Sequence, residues 1–164
     1  MGDAVAIGDL VLARELLQHD IDASPLFPRF EVPLTGCSRF AADAALSDAL
    51  RASVQRCVRR GWLNGNNAGA PRLHEALVIS GDQFIATAAQ GLALRAALPD
   101  ALAVEMEGAA VAQVCAAFGM PFAVLRTISD RADDSAHGDF EAFIADVASV
   151  TTRTIVQEWL AGLP

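Results

Sequence analysis

Short apolar runs alternating with helix-period segments predict an α/β fold: a mostly parallel or mixed sheet flanked by helices in three layers. Three observations carry that expectation. The runs 76-ALVIS-80, 101-ALAVE-105 and 122-FAVLRTIS-129 are short and nearly continuously apolar, as strands covered on both faces are. The segments between them are long enough for helices and repeat apolar residues every three or four positions. Glycine and aspartate punctuate the junctions, at Gly81-Asp82 and Gly119.

Taken in order, residues 4–13, AVAIGDLVLA, read as extended chain around Gly8-Asp9. The stretch 23-ASPLFPRFEVPLTG-36 holds three prolines and ends on glycine, which predicts an ordered loop. From Phe40 to about Arg60, the fourfold spacing of Leu46, Leu50, Val54 and Val58 marks a helix face. The glycine- and asparagine-rich 61-GWLNGNNAGAP-71 reads as a surface connection. The strand at 76–80 leads through Gly81-Asp82 into a helix ending near Leu98, then the strand at 101–105. A helix from Glu107 is expected with Val111, Val114, Cys115 and Phe118 on one apolar face and Gly119 at its C-terminal cap, which makes Cys115 a small core residue. After the strand at 122–129, the polar loop 130-DRADDSAHGD-139 precedes a last helix with Phe140, Phe143, Ile144, Val147, Thr151 and Ile155 along one side.

The totals narrow the function classes. With 164 residues a single domain over 1–164 is expected, long enough for a sizeable core. An apolar share of 53 % against 20 % charged residues argues against disorder. The net charge of −8 repels phosphate backbones, so nucleic-acid binding is not expected. No apolar run approaches the ~20 residues of a membrane span, and MGDAVAIGDL lacks the basic start of a signal peptide, so a cytoplasmic protein with no membrane partner is expected. Cys37, Cys57 and Cys115 form no CxxC spacing and read as unpaired thiols. His19, His74 and His137 are scattered without metal-ligand spacing, and no GxGxxG or GxxxxGK[ST] loop occurs; neither a metal nor an organic cofactor is expected.

In sheets of this kind ligands bind beyond the carboxyl ends of the strands. Three predicted strand ends are polar: Ser80-Gly81-Asp82 with Phe84 nearby, Glu105-Met106-Glu107, and Ser129-Asp130. They are expected to converge on one pocket. Glu105 and Glu107 read either as charge placed favourably at a helix N-terminus or as a carboxylate accepting from two vicinal hydroxyls, such as those of a ribose. Asp130 reads either as a turn or N-cap aspartate or as a general acid whose proton is retained through desolvation, with Ser129 orienting it. Phe84 and Phe140 read either as core or as walls for a flat heterocycle.

The pieces 80-SGDQFI-85, 104-VEMEGAAVAQVC-115 and 126-RTISDRAD-133, followed by Phe140, resemble the 5′-methylthioadenosine/S-adenosylhomocysteine nucleosidases, within the purine nucleoside phosphorylase-like group. The earlier 7-IGDLVLA-13 and 19-HDID-22 resemble the same family, so the likeness runs through nearly the whole chain. It implies hydrolysis of an N-glycosidic bond to adenine and a thioribose, in methionine salvage, without a cofactor. In that scheme Asp130 protonates N7 of adenine with Ser129 in support. Glu107 binds the ribose hydroxyls and Met106 lines the sugar. Phe84 flanks the purine, the backbone of Ile85 reads its edge, and Phe140 closes the pocket. Family members are homodimers, and Phe27 either caps the partner's thioalkyl group or covers local core. Two rivals share the motifs: a purine nucleoside phosphorylase, and an adenine-binding chain with impaired catalysis. The sequence departs from the family at its start. The first strands, with a glutamate that positions the attacking water, have no counterpart upstream of the IGD segment, so an incomplete domain is expected.

Overall fold

The computed structural model of the protein describes residues 5–63, 69–130 and 147–162. Phe140, with Asp133, Asp134, His137, Phe143 and Ile144, lies outside the described residues. The elements run β1 (Leu10–Gln18), β2 (Phe40–Ala41), α1 (Ala44–Arg59), β3 (Leu73–Ser80), α2 (Ala88–Ala97), β4 (Ala101–Glu105), α3 (Gly108–Ala117), β5 (Leu125–Thr127) and α4 (Ser149–Ala161). Among the described residues one mixed sheet holds five strands, in the order β2-β1-β3-β4, with β5 also on β1. The pairs β1–β3 and β3–β4 are parallel, whereas β2 and β5 run antiparallel to β1.

The strand β1 organises the molecule because most of its length is buried. Strand side chains alternate between faces, so Leu10 and Leu12 should part from Val11 and Ala13. Leu10 joins Val54, Cys57 and Ile155 under α1 and α4. Val11 and Ala13 join Val78, Ala103 and the Ala109 and Ala112 of α3. A register shift against β3 falls between Ala13 and Glu15. The extra residue resets the alternation, so Leu16 shares a cluster with Ala13 despite standing three positions on. Leu17 turns to the other side, with Ile79, Leu94 and Leu98. The three layers follow: α1, α2 and α4 over one face, α3 over the other.

Local signals start the helices. The Asp43 carboxylate accepts from the Leu46 N–H at 2.8 Å and caps α1. Thr87 and Gln90 form a reciprocal capping box at α2. Among the described residues no helix is long and apolar enough to cross a membrane.

Several boundaries differ from the sequence reading, each for a physical reason. The first strand is Leu10–Gln18 rather than 4–13, since the bulge at Arg14-Glu15 breaks the apolar alternation that would have marked its second half. Phe40-Ala41 pairs with β1, and α1 begins only after its aspartate cap. The third predicted strand, 122–129, narrows to Leu125–Thr127. The largest correction concerns α3. Val111, Val114 and Phe118 are 50, 58 and 79 % exposed, and the buried side is Gly108, Ala109 and Ala112. Small residues let the helix approach the sheet closely, which an apolar-periodicity reading overlooks. Cys115 is accordingly half-buried, whereas Cys57 is buried, and all three thiols are free.

Candidate functional site

Parallel pairing brings the carboxyl ends of β1, β3 and β4 into a row. Gln18 stands opposite Ser80, and Ser80 opposite Glu105. The Ser80 hydroxyl donates to Glu105 Oε1 in a short bond and accepts from the Ala109 N–H at 2.7 Å. Glu105 also accepts from the Gly108 N–H, at 2.9 and 3.0 Å to its two oxygens, and from the Glu107 N–H at 3.2 Å. The first N–H groups of a helix lack intrahelical partners and carry partial positive charge. At α3 they are satisfied from the end of β4, because Glu107, the N-cap residue itself, makes no side-chain cap bond. Gly108 is required by proximity: a Cβ there would stand 2.5 Å from Leu16 Cδ2 and 3.0 Å from Glu105 Oε1.

Arg126 of β5 completes the cluster. Its Nη2 lies 3.0 Å from Glu105 Oε2 and 3.1 Å from Glu107 Oε2. The two carboxylates differ sharply in access, the Glu105 side chain being 6 % exposed and that of Glu107 69 %. Protein donors surround Glu105. Glu107 keeps acceptor capacity toward solvent, as a group that accepts from paired hydroxyls must. Met106, its neighbour in the chain, and Phe84, after β3, are both exposed, while Ile85 is buried.

The loops after β1 and β3 are tied together next to this row. Gln18 accepts from the Gln113 amide at 3.0 Å and donates to Asp20 Oδ1 at 3.2 Å, and Asp20 Oδ2 accepts from the Asp82 N–H at 2.7 Å. Burial raises the Asp20 pKa, but the Asp82 N–H and the Gln18 amide outweigh it and hold the carboxyl below its ordinary value. His19 is buried against Gly81, and burial outweighs the pull of Asp20 and lowers its pKa.

The third predicted strand end behaves differently. Because β5 is antiparallel to β1, Thr127 faces Leu10 and the Ile128 N–H donates to the Asp9 carbonyl at 2.9 Å. Ser129 and Asp130 therefore follow β5 toward the amino end of β1. The three strand ends therefore do not form one parallel row, since β5 runs against β1. Strand composition carries no direction, and β5 reaches the carboxylate pair through Arg126, mid-strand. Asp130 is half-buried and its Oδ2 accepts from the Ser129 hydroxyl at 2.8 Å. The Cα atoms of Arg126 and Asp130 are at most ~14 Å apart, the fully extended reach of four residues. Phe27 is half-buried in the loop before Phe40.

Arg126 was the site residue the sequence reading passed over, although it stands inside the quoted RTISD run. The available signal was an arginine within an apolar strand, since such a charge is seldom buried there without a partner. An apolar cavity of about 270 Å³ opens between α1, α4 and β5, lined in part by Leu46, Leu50, Leu125, Ile155 and Trp159; none of the acidic groups above lines it. Among the described residues no three His, Cys, Asp or Glu side chains are grouped to hold a metal ion.

The family model of the phosphorylase superfamily matches residues 1–159. A 5′-methylthioadenosine/S-adenosylhomocysteine nucleosidase from Neisseria meningitidis, solved with methylthio-immucillin-A, is similar over 99 % of this chain and 65 % of its own, at 29 % identity and a TM-score of 0.84. A putative methylthioadenosine nucleosidase from Weissella paramesenteroides is 32 % identical with a TM-score of 0.79, over 99 % of this chain and 65 % of its own. The futalosine hydrolase of Helicobacter pylori is 31 % identical with a TM-score of 0.79, over 99 % of this chain and 64 % of its own. The chain therefore spans about two-thirds of the length of these solved relatives. With the family model matching almost end to end, the chain belongs to the phosphorylase superfamily.

Proposed function

We propose that the protein cleaves the N-glycosidic bond of 5′-methylthioadenosine or S-adenosylhomocysteine with water, releasing adenine and a thioribose, as a cytoplasmic homodimer serving methionine salvage. The observation that carries the proposal is Glu107: an accessible carboxylate at a strand end, held by Arg126, within a chain similar to nucleosidases that act on such substrates. Glu107 takes the ribose hydroxyls, one carboxylate oxygen to each donor. Met106 lines the sugar. Phe84 lies along the purine, the Ile85 backbone meets its edge, Phe140 closes the pocket, and Phe27 caps the thioalkyl group bound by the partner subunit. Asp130, supported by Ser129, delivers a proton to N7 of the base.

The chemistry is consistent with these groups. Breaking a ribosyl–purine bond builds positive charge on the sugar, as other glycosidic cleavages do. Protonating the base improves the leaving group, and carboxylates near the sugar favour the cationic transition state over the ground state. General acid assistance of this kind is worth ~10²–10⁴-fold.

The test is adenine release from 5′-methylthioadenosine with and without phosphate. Release in phosphate-free buffer supports hydrolysis, and strict dependence on phosphate overturns it in favour of a phosphorylase. Calorimetric titration with adenine and methylthioadenosine, run beside the assay, identifies an adenine-binding chain by binding without turnover. Futalosine belongs in the same assay because one relative of similar likeness is a futalosine hydrolase.

A further inference from the structure

We infer that Glu105 is a positioning residue for the sugar site, acting through Arg126 to set the angle at which Glu107 meets the substrate. This inference rests on the nucleosidase reading above and deepens it by assigning the second glutamate of the motif. The argument begins with hydrogen-bond capacity. A carboxylate offers about four acceptor positions. Those of Glu105 serve the Ser80 hydroxyl, the Gly108 and Glu107 N–H groups and the Arg126 guanidinium. With its side chain buried and its lone pairs engaged by the protein, Glu105 has none left for a ligand.

What it holds are the two groups that fix Glu107. The Glu107 N–H is held at 3.2 Å, which sets the backbone where strand gives way to helix. Arg126 is held at 3.0 Å through Nη2, the nitrogen that also meets Glu107 Oε2 at 3.1 Å. One guanidinium nitrogen between two carboxylates acts as a hinge pin. The buried carboxylate anchors it, and the exposed one is drawn to a fixed rotamer. Without Glu105, Arg126 would pair with Glu107 alone, and an exposed ion pair of that kind imposes little order. A serine, a helix N-terminus and an arginine from three different elements meet on this one side chain. A salt bridge serving stability alone needs no second, accessible carboxylate on the same nitrogen.

The experiment uses the whole chain carrying Asp130→Asn to suppress cleavage, with Glu105→Gln or Arg126→Lys added. Each is titrated with 5′-methylthioadenosine and with adenine, and exchange about the Arg126 guanidinium is followed by nitrogen-15 NMR without ligand. Arg126→Lys leaves Ser80 and the start of α3 on Glu105, so it tests the link without disturbing the helix. Both variants should bind the nucleoside about ten-fold more weakly, the scale of one charged hydrogen bond, with adenine affinity unchanged. Guanidinium rotation should be restrained in the parent and free in Glu105→Gln. Equal loss for both ligands, or no loss for either variant, overturns the inference, as does unaltered rotation in Glu105→Gln. If the parent binds neither ligand while rotation is freed by Glu105→Gln, the clamp stands and the nucleoside reading falls.

Discussion

Asp9 shows how much a single carboxylate can carry. Buried at the start of β1, it accepts from the Ala6 and Arg72 N–H groups at 3.0 Å each, from the Arg72 guanidinium at 3.0 Å and from His74 Nε2 at 3.0 Å. Burial alone would raise its pKa, but these donors together lower it from 3.8 to about 2. The sign follows: the folded state binds this proton more weakly than the unfolded state, so the stabilisation is full above pH 4 and fades as pH falls toward 2. Held that low in the folded state, Asp9 contributes on the order of 2 kcal/mol at neutral pH. Asp9→Asn should lower stability by about that amount in urea unfolding at pH 7, and the gap from wild type should narrow between pH 4 and 2; a gap that widens on acidification refutes the assignment. The proposed function gives the carboxylates of Asp130 and Glu107 different parts. Asp130→Asn should abolish cleavage, by ~10²-fold or more, while largely sparing nucleoside affinity in titration. Glu107→Gln should weaken riboside binding far more than adenine binding, and equal losses would remove Glu107 from the sugar. At this scale the sequence offers candidates where a motif names the residue, as it does for Glu107 and Asp130. It offered the helix N-terminus for Glu105, as the structure has it, but not the pairing with Arg126, which is a contact between elements distant in the chain.

Between β3 and α2 the chain turns at Gly81, and the space there is already occupied. A Cβ on Gly81 would stand 2.3 Å from Nε2 and 2.5 Å from Cε1 of His19, whose backbone N–H is pinned to the Ser80 carbonyl at 2.8 Å. Gly81→Ala should therefore destabilise the protein by ~1–3 kcal/mol, read as a lower melting temperature. Adding His19→Ala should recover part of that loss, since residues in contact do not act additively. A double variant no better than the sum of the two singles would place the strain elsewhere. The elements explain what was readable. Parallel strands buried on both faces announce themselves as apolar runs, and β3 and β4 were recognised on that basis. The bulge in β1 hid half a strand, and the direction of β5 has no local signature. The buried face of α3 was misread because Gly108, Ala109 and Ala112 carry little hydrophobic signal beside Val111, Val114 and Phe118, although it is their smallness that permits the contact.

For the molecule as a whole, that exposed stripe is the most consequential surface feature. Val111, Val114 and Phe118 recur at helical spacing along α3, with Met120 exposed just beyond its end. Contiguous apolar surface of this kind on a chain of net charge −8 marks a contact area or an association hazard rather than a solvated face. The relatives are longer chains, of which this one spans 65 % in the Neisseria enzyme. Their extra length and a partner subunit are both able to cover such a stripe. Replacing Val114 and Phe118 with lysine removes its centre without touching the packed side of the helix. The double variant should bind a hydrophobic dye less than wild type and keep its melting temperature, because Ala109 and Ala112 still meet the sheet. Sedimentation then distinguishes what the stripe does. If wild type is a dimer and the lysine variant a monomer, α3 forms the subunit contact. If both are dimers and only dye binding falls, the dimer forms elsewhere and the stripe is free in the isolated chain. Unchanged dye binding would show that the stripe is already covered in solution, and the reading of α3 as an open face would fail.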